Sequence, residues 1–179
     1  FENLNIHEFD TIVVRKAGEI IPEVVRVIEE LRMKKSNKIL FPKYCPSCGE
    51  KLFKNESEAA TKCINNICPS IQKSLLRHWA SKSAMNIDGL GVKIIEQLFE
   101  AKLITTINDL YTLNHKKLKS LERMGDKSIN NLLLGIEDSK NRTWHKKLYA
   151  LGINHIGEVT AKNISLKFKN IDELKEASL

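Results

Sequence analysis

All four cysteines of this chain fall between positions 45 and 68, and no other segment carries one. Cys45 and Cys48 form a Cys-x-x-Cys pair, fourteen residues separate Cys48 from Cys63, and four separate Cys63 from Cys68. Unrelated thiols would scatter along the chain, and paired disulfides need an oxidising compartment. The N-terminus, Phe1-Glu2-Asn3-Leu4, has neither an initiator methionine nor a basic and apolar leader, so we expect an unexported chain cut from a longer protein. Four thiolates in so short a window suit a zinc ion, which prefers soft donors in a tetrahedron. Pro46, Gly49 and Pro69 supply the tight turns that such a knuckle needs. A closed all-cysteine shell has no open coordination position, so the metal is expected to be structural. Residues 50–62 are too polar to form a core, which leaves the metal as the main source of folding free energy there.

Ahead of the cysteines, residues 10–27 are rich in β-branched side chains and broken by Gly18. They read as two strands joined by a turn. A complete small barrel needs about five strands, so we expect these to be the last strands of a β domain whose remainder lies upstream, followed by a more helical stretch over residues 29–37. Arg15 and Lys16 alone would be two solvated charges at a strand end. Lys34 to Lys38 reads as a linker that could hinge.

Beyond Cys68 the period changes. Ile71, Leu75, Leu76 and Trp79 recur at helical spacing, with Lys73, Arg77, His78 and Lys82 between them. This helix is expected to pack the knuckle onto the C-terminal segment, which is a repeat. Ile87-Asp88-Gly89-Leu90-Gly91-Val92-Lys93-Ile94-Ile95 aligns with Leu121-Glu122-Arg123-Met124-Gly125-Asp126-Lys127-Ser128-Ile129 and with Ile153-Asn154-His155-Ile156-Gly157-Glu158-Val159-Thr160-Ala161. The aligned glycines lie 34 and 32 residues apart. Apolar residues stand four before and one before each glycine, and an apolar or small one four after it. In each copy two helices are expected to meet through a hairpin. Ile94, Ile95, Leu98 and Phe99 form the inner face of the first copy's second helix, and Lys93, Glu96, Gln97 and Glu100 lie outside.

A helix that begins at such a glycine offers unpaired amides and the positive end of its dipole to a phosphate oxygen. Lys93 and Lys127, two residues past their glycines, add charge at the same place. Contacts of this kind grip backbone rather than read bases. Lys plus Arg outnumber Asp plus Glu by 29 to 22, a net charge of +7 that favours a polyanionic partner. The bland alternatives are an ordinary glycine-capped hairpin or a helical solenoid, whose period near 34 also fits; tetratricopeptide landmarks of Trp, Tyr and Pro are missing. The third copy has His155 where the first has Gly89, and Val159 where the others have lysine, so it reads as a packing repeat. Apolar runs never approach the roughly 18 residues of a membrane span. The five histidines, His7, His78, His115, His145 and His155, show no sequence pairing that assigns them catalysis.

The fold expected is a mainly α multidomain chain: C-terminal strands of an OB-fold, a small four-cysteine zinc finger, then tandem helix-hairpin-helix repeats. In this order the modules resemble the C-terminal half of the NAD-dependent DNA ligases. The segment Arg15-Lys16-Ala17-Gly18-Glu19-Ile20-Ile21-Pro22 is similar to the family's OB signature, the spacing of Cys45, Cys48, Cys63 and Cys68 to its zinc finger, and Asn86-Ile87-Asp88-Gly89-Leu90-Gly91 with Leu121-Glu122-Arg123-Met124-Gly125 to its hairpin domain. The resemblance implies domains at 1–40, 41–70 and 71–179, the last stopping before a fourth hairpin that residues 171–179 approach. It implies that Arg15, Lys16, Ile20 and Ile21 lie against DNA near the nick, reversing the solvated-charge reading, and that Gly89, Gly91, Lys93, Gly125, Lys127 and Gly157 hold the duplex at the minor groove. Zinc would sit in this chain, while NAD and magnesium would serve the parent enzyme. The partner would be nicked duplex DNA, bound by a monomer in the bacterial cytoplasm at the nucleoid, for replication and repair. The family's nucleophile is a lysine in Lys-x-Asp-Gly; Asn86-Ile87-Asp88-Gly89 puts Asn there and has no amine to carry AMP, so no catalytic residue is expected here. Rival readings are the subunit of a repair nuclease, which needs acidic metal ligands not found in the sequence, and a non-enzymatic protein-binding adaptor.

Overall fold

The computed structural model describes residues 2–18, 20–55 and 60–177. Glu19, within the expected strand turn, and the last two residues of the 171–179 stretch lie outside them, as do residues 56–59 of the polar inter-cysteine segment. The chain divides into two compact units, Phe1–Lys62 and Cys63–Leu179.

In the first unit, β1 (Ile12–Ala17) pairs antiparallel with β2 (Ile21–Val27), as the β-branched runs predict. The register runs from Ile12 opposite Val27 to Ala17 opposite Ile21, and Val25 is skipped in a bulge opposite the Val13–Val14 step. Gly18 takes φ +57° at the turn, a conformation that suits glycine. Much of the hairpin's apolar surface is open, with Val14 half exposed and Ile20 and Ile21 largely so.

The helical stretch expected over residues 29–37 is not there. A single 3-10 turn, Glu29–Leu31, ends at Arg32 in extended conformation. Arg32 is held by Asp10 through two hydrogen bonds of 2.9 Å and by the Asn5 carbonyl at 2.8 Å. The following backbone pairs with residues 6–8: the Glu8 amide donates to Asn37, the Ile39 amide to Ile6, and His7 bridges to Lys38. Long-range partners therefore outweigh helix propensity, and Lys34 to Lys38 is pinned at its C-terminal end rather than running as a free linker. Two-residue strands β3 (Phe53–Lys54) and β4 (Thr61–Lys62) form a small antiparallel ladder, and Tyr44 bridges to Lys51.

The second unit is helical. α1 (Pro69–Ala80) is followed by α2 (Val92–Glu100), α3 (Ile107–Leu110), α4 (His115–Lys119), α5 (Asp126–Ser139), α6 (Trp144–Ala150), α7 (Glu158–Lys167) and α8 (Ile171–Lys175). α1 packs against α2, α3 and α6, α4 against α5, and α6 against α7. Leu76, Ile95, Leu98, Leu110, Leu118, Ile129 and Leu132 are fully buried in one core. The core's buried polar residue, Ser139, donates to the Ile136 carbonyl at 2.6 Å and meets Tyr111, whose hydroxyl also accepts from the Trp79 indole. The predicted periodicities hold: Leu76 is buried with Ile71, Leu75 and Trp79 half-buried on α1, and Ile95 and Leu98 face inward on α2 while Lys93 and Glu100 stay exposed. Among the described residues, no helix is long and apolar enough to cross a membrane.

Candidate metal centre and nucleic-acid interface

The four cysteines converge. Gly49, at φ +74°, reverses the chain after Cys48; its amide donates to the Cys45 carbonyl and the Cys45 amide to Glu50, so the first pair sits in a tight hydrogen-bonded loop. Cys63 follows β4 directly. Cys68 is drawn in by its amide bond to the Asn65 carbonyl and caps α1, with Pro69 at the first helical position where a missing N–H costs nothing. The ligand atoms of all four residues lie within 4.8 Å of one another, with Cys45 and Cys68 buried and Cys48 and Cys63 half-buried. Four sulfurs each about 2.3 Å from one zinc would stand about 3.8 Å apart, so a small contraction closes the shell. Among the described residues, no carboxylate or imidazole belongs to the cluster, and a donor set made only of sulfur fits zinc held for structure.

The three hairpins share one backbone design. Gly91, Gly125 and Gly157 are the N-caps of α2, α5 and α7, all with extended dihedrals. Each glycine carbonyl accepts the amide four residues on, from Ile95, Ile129 and Ala161. The amides between have no intrahelical acceptor and face outward. A Cβ placed on any of the three glycines would meet nothing within 4 Å. Neither crowding nor dihedral strain within the chain demands glycine there. Two residues earlier, Gly89, Arg123 and His155 all adopt a left-handed conformation, at φ +77°, +60° and +67°. His155 therefore does not break the third hairpin; the same turn is made at some backbone cost.

The hairpins differ in charge. At the first, a concavity of about 650 Å³ is lined by Lys82, Asn86, Gly89, Gly91, Val92 and Lys93. Here Lys82 and Lys93 share the concavity with Asp88, whose carboxylate accepts the Gly89 amide at 3.0 Å, and Val92 takes the first helical position. The second begins with Asp126, which pairs with Lys119 at 2.5 Å and His115 at 3.3 Å; the Lys119 ammonium holds its carboxyl below the usual carboxylate range. The third begins with Glu158, lowered likewise by Lys146 at 2.5 Å, and its Val159 is 74% exposed in place of a lysine.

Residues 44–69 match the NAD-dependent DNA ligase C4 zinc finger domain, residues 82–138 the SAM-like helix-hairpin-helix tandem, and residues 146–179 the helix-hairpin-helix motif. The chain is 56% identical over 176 residues to a DNA ligase of Prochlorococcus marinus strain SARG and 52% identical over 176 residues to a DNA ligase of Synechococcus sp. strain CC9605, in both cases over 98% of its own length. Nearly the whole chain is similar to a segment of these DNA ligases. The chain spans about a quarter of the length of these relatives, 26% in each case.

Within this segment, the remaining residues singled out by sequence lie in the first unit. Arg15 is turned onto Glu23 at 2.9 Å, its partner across the ladder. Lys16 is exposed opposite Pro22, while Ile20 and Ile21, 84% and 68% exposed, frame the end of the turn. These residues and the hairpin glycines belong to separate units. Two of the histidines hold structure: the His78 ring donates to the Tyr149 carbonyl at 2.9 Å, and His7 meets the Ser36 carbonyl and hydroxyl.

Sequence reasoning assigned no role to Gly135, yet a Cβ there would stand 3.1 Å from both the amide nitrogen and the carbonyl oxygen of Asp88. α5 therefore seats the turn of the first hairpin through a bare backbone. Lys82, read as one of several basic residues on a helix, instead faces the first cradle. Both roles arise from approaches in three dimensions that sequence spacing does not encode.

Proposed function

We propose that this chain is the DNA-gripping part of an NAD-dependent DNA ligase that seals nicks in duplex DNA. The observation that carries the proposal is the threefold recurrence of an open glycine N-cap whose missing side chain serves no purpose inside the chain. A phosphate oxygen suits each cap, because amides at a helix N-terminus donate toward the axis and the dipole favours an anion. Gly89, Gly91 and Lys93 form the strongest grip, with Lys82 beside them. Gly125 and Lys127 form the second, and Gly157 the weakest. Arg15, Lys16, Ile20 and Ile21 line the DNA side of an OB domain, of which residues 1–40 are part. Cys45, Cys48, Cys63 and Cys68 ligate one zinc within a module at 41–70, and the hairpin domain occupies 71–179. No Lys-x-Asp-Gly occurs in the sequence, so the steps that use NAD and magnesium belong to other parts of the enzyme, and this chain alone is inactive and monomeric.

The test is a titration of nicked and intact duplex with the chain at two salt concentrations. Binding should weaken on a log-log slope of about 0.9 per phosphate neutralised, and Lys93→Ala should lower that slope by about 0.9. Absence of affinity at low salt would rule out the DNA grip and favour a protein adaptor. A slope unchanged in Lys93→Ala would remove the first hairpin from the contact.

A further inference from the structure

The second and third hairpins begin their second helices on an acid. α5 opens on Asp126 and α7 on Glu158, each directly after its open glycine cap, whereas α2 opens on Val92. In the first hairpin the nearby acid, Asp88, stands ahead of the cap and its carboxylate is taken by the Gly89 amide. Asp126 and Glu158 are instead turned back onto a lysine of the preceding helix, Lys119 of α4 and Lys146 of α6, each at 2.5 Å. His115 stands 3.3 Å from Asp126, and His145 and Lys162 act on Glu158 at longer range. The two lysines are held differently. Lys146 also donates to the Ser83 carbonyl at 2.8 Å and its side chain is 24% exposed, so it is fixed from two sides. Lys119 is 55% exposed and held by Asp126. An anion at a helix start opposes the dipole and stabilises the helix, but it also stands against any phosphate that approaches the same amides. Helix stability favours an acid at this position, and phosphate binding disfavours one.

We propose that Asp126 and Glu158 are release residues of the DNA grip: each holds a lysine back from the sugar-phosphate rail and repels the phosphate its hairpin takes. The second and third hairpins therefore let go readily, while the first anchors the chain. The inference rests on the phosphate reading of the hairpins and adds to it a division of labour among them. An exposed carboxylate one residue past the cap is close enough for its repulsion of a bound phosphate to weaken affinity about threefold at low salt. At the second hairpin the effect is double, because Lys119 is free to turn onto phosphate once Asp126 no longer holds it. At the third, the Ser83 carbonyl keeps Lys146 in place, so only the repulsion is relieved.

The experiment titrates a fluescently labelled blunt duplex with the zinc-loaded full chain over a range of salt. Asp126→Asn and Glu158→Gln should each bind about threefold more tightly than the parent at low salt, and the two together about tenfold, since the hairpins are separate sites. Each variant should at the same time melt at a slightly lower temperature, because its helix has lost the charge that opposes the dipole. An acid that served structure alone would give the lower melting temperature with no gain in affinity. The salt slope of Asp126→Asn should rise by about 0.9, and Lys119→Ala placed in that variant should remove the rise. Glu100→Gln, an equal change of charge at the exposed far end of α2, controls for net charge and should bind as the parent does. Affinity unchanged or weakened in both acid variants, or a gain matched by Glu100→Gln, would overturn the proposal while leaving the DNA grip intact. A parent chain that binds no duplex at low salt would overturn the grip itself and this inference with it.

Discussion

Asp109 shows how much one carboxylate can organise. One of its oxygens accepts from the amides of Thr105 and Thr106, both at 2.8 Å, and from their hydroxyls at 2.9 and 3.1 Å. It closes the capping box that starts α3. These donors, led by the two amides, hold its pKa down from 3.8 to about 2. Because the folded value is depressed, the linked stability is complete above the unfolded pKa and is lost as pH falls from about 4 through about 2. After discounting for partial exposure, we expect Asp109→Asn to cost about 1 kcal/mol at neutral pH. The gap between variant and parent should close as denaturation curves are taken from pH 5 down to pH 2. A gap that stayed constant would mean that the charge is irrelevant and only hydrogen-bond geometry counts. None of this was visible in the sequence, where Asp109 is one acid among 22 Asp and Glu.

At the scale of elements, the hairpins were legible because two constraints repeat together: core positions four before, one before and four after the glycine, and a glycine that caps the second helix. Ile87, Leu90 and Ile95, then Leu121, Met124 and Ile129, are all buried. In the third copy Ile153 is 45% exposed, although Ala161 is fully buried, so the copy read as a packing repeat packs less tightly than the other two. The strands were legible from β-branched residues alone. Residues 29–37 were not, because their course is set by Asp10 and by residues 6–8, partners that local propensity does not see. Gly135 was invisible for the same reason, since its purpose lies 47 positions away at Asp88. We expect Gly135→Ala to destabilise the helical unit by about 1–3 kcal/mol, the usual cost of overpacking, because backbone rather than a yielding side chain meets the new methyl. The shift should also displace the first cradle, so DNA affinity should fall more than the melting temperature alone would suggest. Thermal melts and the duplex titration check the two halves separately. A variant with unchanged stability and affinity would show that α5 and the turn can part at little cost.

At the scale of the molecule, the two units draw on different sources of stability. The helical unit has a continuous apolar core to which no cysteine belongs. The cysteine-rich segment has two two-residue strands, exposed aromatic rings and four converging sulfurs, so metal–sulfur bonds must supply most of what holds it. Elemental analysis should return one zinc per chain. A strong chelator should then abolish the order around Cys45 to Cys68 and leave most of the far-ultraviolet helical signal, with loss confined to the first turn of α1, whose cap is Cys68. Hydrogen exchange resolves the two regions: amides of residues 43–52 should exchange freely after chelation, while those of Ile95, Ile129 and Leu132 stay protected. If the core amides lose protection together with the knuckle, the metal supports the whole chain and the helical core is not self-sufficient. If neither region changes, the four sulfurs hold no ion. Duplex binding measured after chelation adds a functional reading: hairpin cradles that depend only on the helical core should keep their salt-sensitive grip.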